Sequence, residues 1–185
     1  MSLIVEDGSI VSGAESYVTV AFCDDYFSKR SPANNTTWSA LTTASKEAAL
    51  RDATDYMLQA YRYHWLGRRV NTLQFLDWPR VGVVIEDFVG GQSRNGLGSY
   101  GIFQVPFNIV PLEVQKACAE LALRASIALL NPDLTQNITE KTVGPIQVKY
   151  DVNSPQFKRY REIDMTLRVY LSRNSSSPSV GLTRA

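Results

Sequence analysis

The chain has 185 residues, of which 44% are hydrophobic and 20% charged, and its formal net charge is +1. This size and balance predict one soluble globular domain that is long enough to bury a core. No apolar run reaches the roughly 18–20 residues that cross a bilayer, which excludes a membrane-spanning helix. The sequence starts without a signal-peptide pattern, so we expect synthesis in the cytoplasm.

Charge is distributed unevenly along the chain. Residues 1–30 are mainly acidic, whereas residues 141–185 are mainly basic. Opposite charges at the two ends favour head-to-tail assembly or contact with an acidic partner, but two ordinary solvated surfaces explain the same pattern.

The first half of the chain predicts short extended segments followed by helices. Residues 3–5 and 10–11 flank an Asp-Gly turn and are expected to pair. Further on we predict a helix over 20–29, capped by Thr19, and then a loop over 31–35. A helical turn over 38–41 follows, and after it a helix over 44–63 that is capped by Thr43.

Residues 81–110 form a long glycine-rich connector. Connections of this length inside a compact domain are usually functional or mobile. The segment 96–101 matches the pattern GxGxxG, but neither a strand before it nor a helix after it is predicted. It therefore does not indicate a dinucleotide site.

The most apolar helix is predicted over residues 111–130, with Pro111 at its start. Because it is apolar on most sides and rich in alanine, it must be covered from several directions. We therefore predict a mainly α fold, a small helical bundle around this central helix. Later elements are a β-hairpin or strand near 138–152, a helix from 155 to 172 and a flexible tail over 173–185. The domain should span 1–172, with 81–110 as a long loop insert.

Residues suited to catalysis are few. His64 is the only histidine, and no nucleophile is placed beside it by the sequence. Cys23 and Cys118 lie far apart without CxxC spacing, so we predict buried free thiols and no metal site. We expect no catalytic residues and no cofactor, and therefore not an enzyme.

One cluster combines aromatic and basic side chains. Tyr63, Trp65, Arg68 and Arg69 could stack bases and contact phosphates. Alternatively, the aromatic rings fix the end of the helix to the core while the arginines reach solvent. A structural role is predicted for Trp38, Trp78 and Pro79, with Trp78 as a large apolar side chain in the core.

Several motifs resemble one known family in their order and spacing. They are AESYVTV (14–20), Trp38 with KEAALRDATDY (46–56), WLGRR (65–69), QFLDWPR (74–80), Val110-Pro111 with ACAELA (117–122), and VGPI (143–146). Together they cover roughly residues 1–172. The chain resembles the DnaT-like single-stranded-DNA-binding proteins of tailed bacteriophages, which are similar to head-to-tail connector adaptors, also called head completion proteins.

This resemblance implies a structural virion protein of the phage neck, made in the host cytoplasm. Its protomers would form a dodecameric ring beneath the portal protein, extend the channel for double-stranded DNA and offer a platform for the stopper or tail. The alternative implied by the family label is single-stranded-DNA binding. Either way no membrane is involved.

The basic C-terminal region is our predicted contact with the portal or a neighbouring subunit. The residues proposed for it are Arg159, Arg161, Arg168, Tyr170, Leu171 and Arg173. Residues 81–109 of the connector would then face a neighbour, the tail or the lumen.

Overall fold

The computed structural model describes residues 2–87, 101–133, 138–142, 147–150 and 158–172. Within these ranges five α-helices dominate: α1 Val20–Ser28, α2 Pro32–Ser39, α3 Thr43–Tyr61, α4 Leu112–Ala125 and α5 Arg161–Leu167, which continues into a 3-10 turn, Arg168–Tyr170. The predicted mainly α fold is confirmed.

The strands of the described residues form antiparallel pairs. They are β1 Arg68–Arg69 with β2 Arg80–Val81, β3 Val84–Asp87 with β4 Gly101–Gln104, and β5 Ile138–Thr142 with β6 Gln147–Tyr150. The predicted hairpin near 138–152 is thereby confirmed. The predicted loop insert over 81–110 is partly regular, because β3 and β4 pair across its ends.

Helix α4 lies at the centre of the bundle and packs against α2, α3 and α5. Its small side chains permit close approach, and Ala117, Cys118 and Ala122 are buried. The helix ends at Ala125, earlier than predicted. There the Ser126 hydroxyl donates to the Leu123 carbonyl and competes with the backbone pattern.

The first three helices follow the predicted order with two corrections. Helix α1 begins after Thr19, whose hydroxyl accepts from the Phe22 N–H as predicted. Residues 31–35 are not a loop, because α2 begins at Pro32, and proline suits the first turn of a helix. The cap of α3 is Thr42 rather than Thr43.

The N-terminal segment is organised by a buried carboxylate. Glu6 is buried, and its side chain accepts hydrogen bonds from the backbone N–H groups of Gly8, Ile10 and Val11, each at 2.9 Å. Val5 bridges Ser16 in parallel, not residues 10–11. The predicted pairing was wrong because the carboxylate takes the turn's N–H groups.

Replacing this carboxylate tests its role. We expect Glu6→Gln to lower the free energy of unfolding by about 2 kcal/mol. In the variant, an amide NH₂ group would point at backbone N–H groups that now donate hydrogen bonds to a charged carboxylate oxygen. Chemical denaturation followed by circular dichroism measures the change. Asp7→Asn, at the exposed neighbouring carboxylate, is the control and should change stability little. Equal effects of the two substitutions would contradict the assignment.

The C-terminal helix is shorter than predicted. Helix α5 begins at Arg161 rather than near 155, and residues 151–157 lie outside the described ranges. The tail over 173–185 also lies outside them, so the predicted domain limits stay a prediction. In the part of the chain that the structure describes, no helix is long and apolar enough to cross a membrane.

Candidate functional site

The segment from Gln74 to Arg80 forms a buried polar turn between β1 and β2. Its peptide bond Trp78-Pro79 is cis. The Gln74 amide donates to the carbonyls of Leu76 at 2.8 Å and Pro79 at 3.1 Å. These bonds hold the turn closed beside the fully buried Trp78.

Arg80 connects this turn to the chain before β1. Its guanidinium donates to the carbonyls of Leu66 at 2.8 Å, Gly67 at 2.8 Å and Asp77 at 3.1 Å. Burial lowers the pKa of Arg80, and the nearby charge of Asp77 opposes this shift. Three carbonyl acceptors and one carboxylate therefore stabilise a guanidinium that is almost fully buried.

Asp77 is buried beside Arg80 and fixes two further elements. Its backbone N–H donates to the Tyr17 hydroxyl at 3.1 Å, and its carboxylate accepts from Arg62 Nε at 3.2 Å. The turn is thereby connected to the N-terminal segment and to the end of α3. These contacts indicate a structural centre rather than an open catalytic site.

A row of aromatic rings runs from this turn to the C-terminal segment. Centroid distances along it are 5.5 Å for Trp78–Tyr170, 5.7 Å for Trp65–Trp78, 5.8 Å for Tyr61–Trp65, 6.4 Å for Tyr56–Tyr61 and 5.4 Å for Tyr56–Tyr160. Most of these pairs meet edge to face, which is a favoured arrangement for aromatic side chains. The row fastens α5 and its 3-10 turn to α3.

The tyrosines in this row also bind through their hydroxyl groups. Tyr170 donates to Glu113 Oε2 and Tyr61 to Asp164 Oδ1, each at 2.7 Å. Burial, followed by the hydrogen bond to each carboxylate, raises the pKa of both tyrosines. The hydroxyls therefore remain neutral donors at physiological pH and connect α5 to α3 and α4.

The chain leaves the 3-10 turn as an extended segment paired with residues 64–66. The Leu66 N–H donates to the Tyr170 carbonyl at 2.8 Å, and Leu171 forms an antiparallel bridge with Trp65. Tyr170 is buried and Leu171 half-buried. These two residues of the predicted portal contact hold the C-terminal segment to the core.

The other residues of the predicted portal contact lie in different settings. Arg161 and Arg168 are exposed on α5 and its 3-10 turn. Arg159 is exposed and forms an ion pair with Asp164 at 3.2 Å. Arg173 lies outside the described residues. The structure thus places Arg159, Arg161 and Arg168 of this set on an accessible surface.

The predicted nucleic-acid cluster is divided by the fold. Tyr63 is 89% exposed, whereas Trp65 is 5% exposed and packs between Tyr61 and Trp78. A buried indole cannot stack on a base in this conformation. Arg68 and Arg69 are exposed on β1, so an accessible set of Tyr63, Arg68 and Arg69 remains.

The residues predicted to be structural lie in the core. Trp38 and Trp78 are fully buried, and Pro79 is buried beside Trp78. Trp38 also donates from its indole nitrogen to Asp24 Oδ1 at 2.7 Å. His64 is exposed. The described residues contain no group of three or more metal-ligating side chains.

A further surface includes part of the connector, which the sequence predicts to face a neighbour, the tail or the lumen. Between β4 and the start of α4, four large apolar side chains are exposed: Phe103 by 58%, Phe107 by 60%, Ile109 by 39% and Leu112 by 49%. We call these four residues the connector patch. The sequence did not show which apolar side chains of this segment face solvent.

Comparison with protein families identifies a match. The model of the family described as "Putative DnaT-like ssDNA binding protein" matches residues 1–185. No curated protein and no solved structure matches the chain. Because the family model covers all these residues, the protein belongs to this DnaT-like family.

Proposed function

We propose that this protein is a structural subunit of a tailed-bacteriophage neck, an adaptor that joins other copies in a ring between the portal protein and the tail or stopper. The ring would extend the channel through which double-stranded DNA passes. The chain would then act in the virion by binding proteins rather than by catalysis. The resemblance of its ordered motifs to connector adaptors supports this assignment.

The observation that carries the proposal is the connector patch. Four large apolar side chains exposed within ten residues of chain are typical of a surface that another protein covers. Phe103 and Phe107 are aromatic, a residue type that is enriched in the buried centres of protein interfaces. An apolar surface of this kind contributes little to binding a phosphate backbone, so it favours assembly.

The test is quantitative peptide mass spectrometry of purified virus particles, with the portal protein as the reference. We expect this chain at a ratio near one to the portal, as in a ring that matches its symmetry. Absence from particles, together with abundance in infected-cell lysate, would overturn the adaptor assignment.

Single-stranded-DNA binding is the second candidate, and the family description favours it. The exposed Tyr63 ring and the exposed Arg68 and Arg69 offer one stacking surface and two cations. If this surface binds, affinity should fall with salt, because cations that neutralise phosphates release counterions.

Charge removal tests this candidate directly. We expect Arg68→Ala with Arg69→Ala to weaken binding to a fluorescent oligothymidine. The slope of the logarithm of the binding constant against the logarithm of the salt concentration should become shallower by about 1.4, or about 0.7 for each lost phosphate contact. Fluorescence anisotropy measures both quantities. Arg161→Ala with Arg168→Ala removes the same charge elsewhere and should leave the slope unchanged. An equal loss of affinity in the two double variants would contradict a local binding site at Arg68 and Arg69.

A further inference from the structure

A groove lies between α3 and the turn that follows α4. Its volume is about 320 Å³, and its wall on α3 carries Asp52, Asp55 and Gln59. The opposite wall consists of apolar residues and Asn131, and its Leu129 is 77% exposed. Ile127, on the same turn, is also exposed. The groove thus combines a negative wall with an apolar wall.

The negative wall is not neutralised by the described residues. Among the ion pairs found there, none involves Asp52 or Asp55. Burial, followed by the charge of Asp52, raises the pKa of Asp55. Two carboxylates in this setting would be stabilised by cations placed opposite them.

The outer face of the C-terminal helix has the complementary character. Arg161, Met165, Arg168 and Val169 are exposed at helical spacing, while Ile163 and the rest of the inner face pack in the core. No ion pair in the described ranges involves Arg161 or Arg168. This face presents two cations beside two apolar side chains.

We propose that the groove of one copy binds the outer face of α5 on a second copy. Asp52 and Asp55 would face Arg161 and Arg168, and Leu129 would pack against the side chains of Met165 and Val169. Groove and helix face are different surfaces, so the contact is head-to-tail and can close into a ring. The inference deepens the proposed adaptor function, on which it rests, by naming the subunit contact.

Charge complementarity selects a second copy as the partner. The two surfaces carry equal numbers of opposite charges, each next to exposed apolar side chains, and they are present on the same chain. A nucleic acid would be repelled by Asp52 and Asp55. Complementary charge steers association, and the apolar side chains add area to be buried.

Disulfide cross-linking between copies tests the contact. A Leu129→Cys variant and a Met165→Cys variant are purified separately, mixed at high concentration and oxidised. We expect a disulfide-linked dimer as the main product of the mixture and not of either variant alone. The native Cys23 and Cys118 are buried, so they should not contribute. Leu129→Cys mixed with Leu73→Cys is the control, because Leu73 is more accessible than Met165 but lies elsewhere.

Charge reversal provides the second part of the experiment. Asp52→Lys with Asp55→Lys, added to the Leu129→Cys chain, should abolish the cross-link. Arg161→Glu with Arg168→Glu, added to the Met165→Cys chain, should restore it. Absence of the cross-link, or the same yield in the Leu73→Cys control, would overturn this contact. If particles still contain the chain at the portal ratio, the adaptor function stands and only the contact fails; absence from particles would remove both.

Discussion

Trp78→Ala should lower the free energy of unfolding by about 3–5 kcal/mol, the range for removing a large aromatic side chain from a packed core. Trp78 is fully buried and meets Trp65 and Tyr170 edge to face. Its removal would leave a cavity where the aromatic row joins the central bundle. Because Tyr170 belongs to the C-terminal segment, the substitution should also weaken the attachment of that segment.

Urea denaturation followed by far-ultraviolet circular dichroism measures the loss of free energy of unfolding. This signal comes mainly from the helical backbone, so it can be followed without the deleted indole. Tyr63→Ala is the matched control, because Tyr63 is an aromatic residue near the same turn but almost fully exposed. We expect that variant to differ from the parent by less than about 0.5 kcal/mol. A loss below about 1 kcal/mol for Trp78→Ala would show that the site refills or lies at an opening.

Arg80→Met should have an effect of similar size, about 3–5 kcal/mol, because it removes one member of a buried charged network. Methionine keeps much of the apolar stem of arginine but cannot donate to the carbonyls of Leu66, Gly67 and Asp77. It also removes the positive charge next to the buried Asp77 carboxylate. The connection between the turn and the chain before β1 would then be lost.

Arg68→Met, the same substitution at an exposed position of the paired strand, is the control for Arg80→Met. Denaturation midpoints of the two variants should differ clearly, with Arg68→Met close to the parent. Hydrogen exchange at the Leu66 amide, which donates to Tyr170, gives a local readout of the same connection. Equal stability of the two variants would show that the Arg80 hydrogen bonds are hardly more favourable than the bonds this side chain makes to water in the unfolded chain.

Both predictions concern a turn whose importance was only partly visible in the sequence. Trp78 and Pro79 were predicted to be structural, because tryptophan is a large apolar side chain and proline keeps the preceding residue extended. The hydrogen bonds of Arg80 were not predicted. Its acceptors include carbonyls of Leu66 and Gly67, and no local pattern connects positions 13 or 14 residues apart.

The candidate interaction surfaces show the same limit. The sequence identified Tyr63, Trp65, Arg68 and Arg69 as one cluster, and only the fold separated the buried Trp65 from the exposed residues. The sequence also grouped Tyr170 with the basic C-terminal residues, although in the fold the Tyr170 hydroxyl donates to Glu113, 57 residues earlier in the chain. Aromatic side chains are amphipathic, so their type alone does not decide burial.

The sequence by itself determined the mainly α class and the positions of α1, α3 and α4, but not α2 or the start of α5. Thr19 capping, the alanine-rich apolar helix α4 and the alternating residues of β6 all act between residues close in the chain, where capping and periodicity operate. Tertiary structure alone decided that Trp65 lies inside the aromatic row and that Phe103 and Phe107 face solvent. These outcomes depend on which distant segments meet, and that is set by packing of the whole chain rather than by local preference.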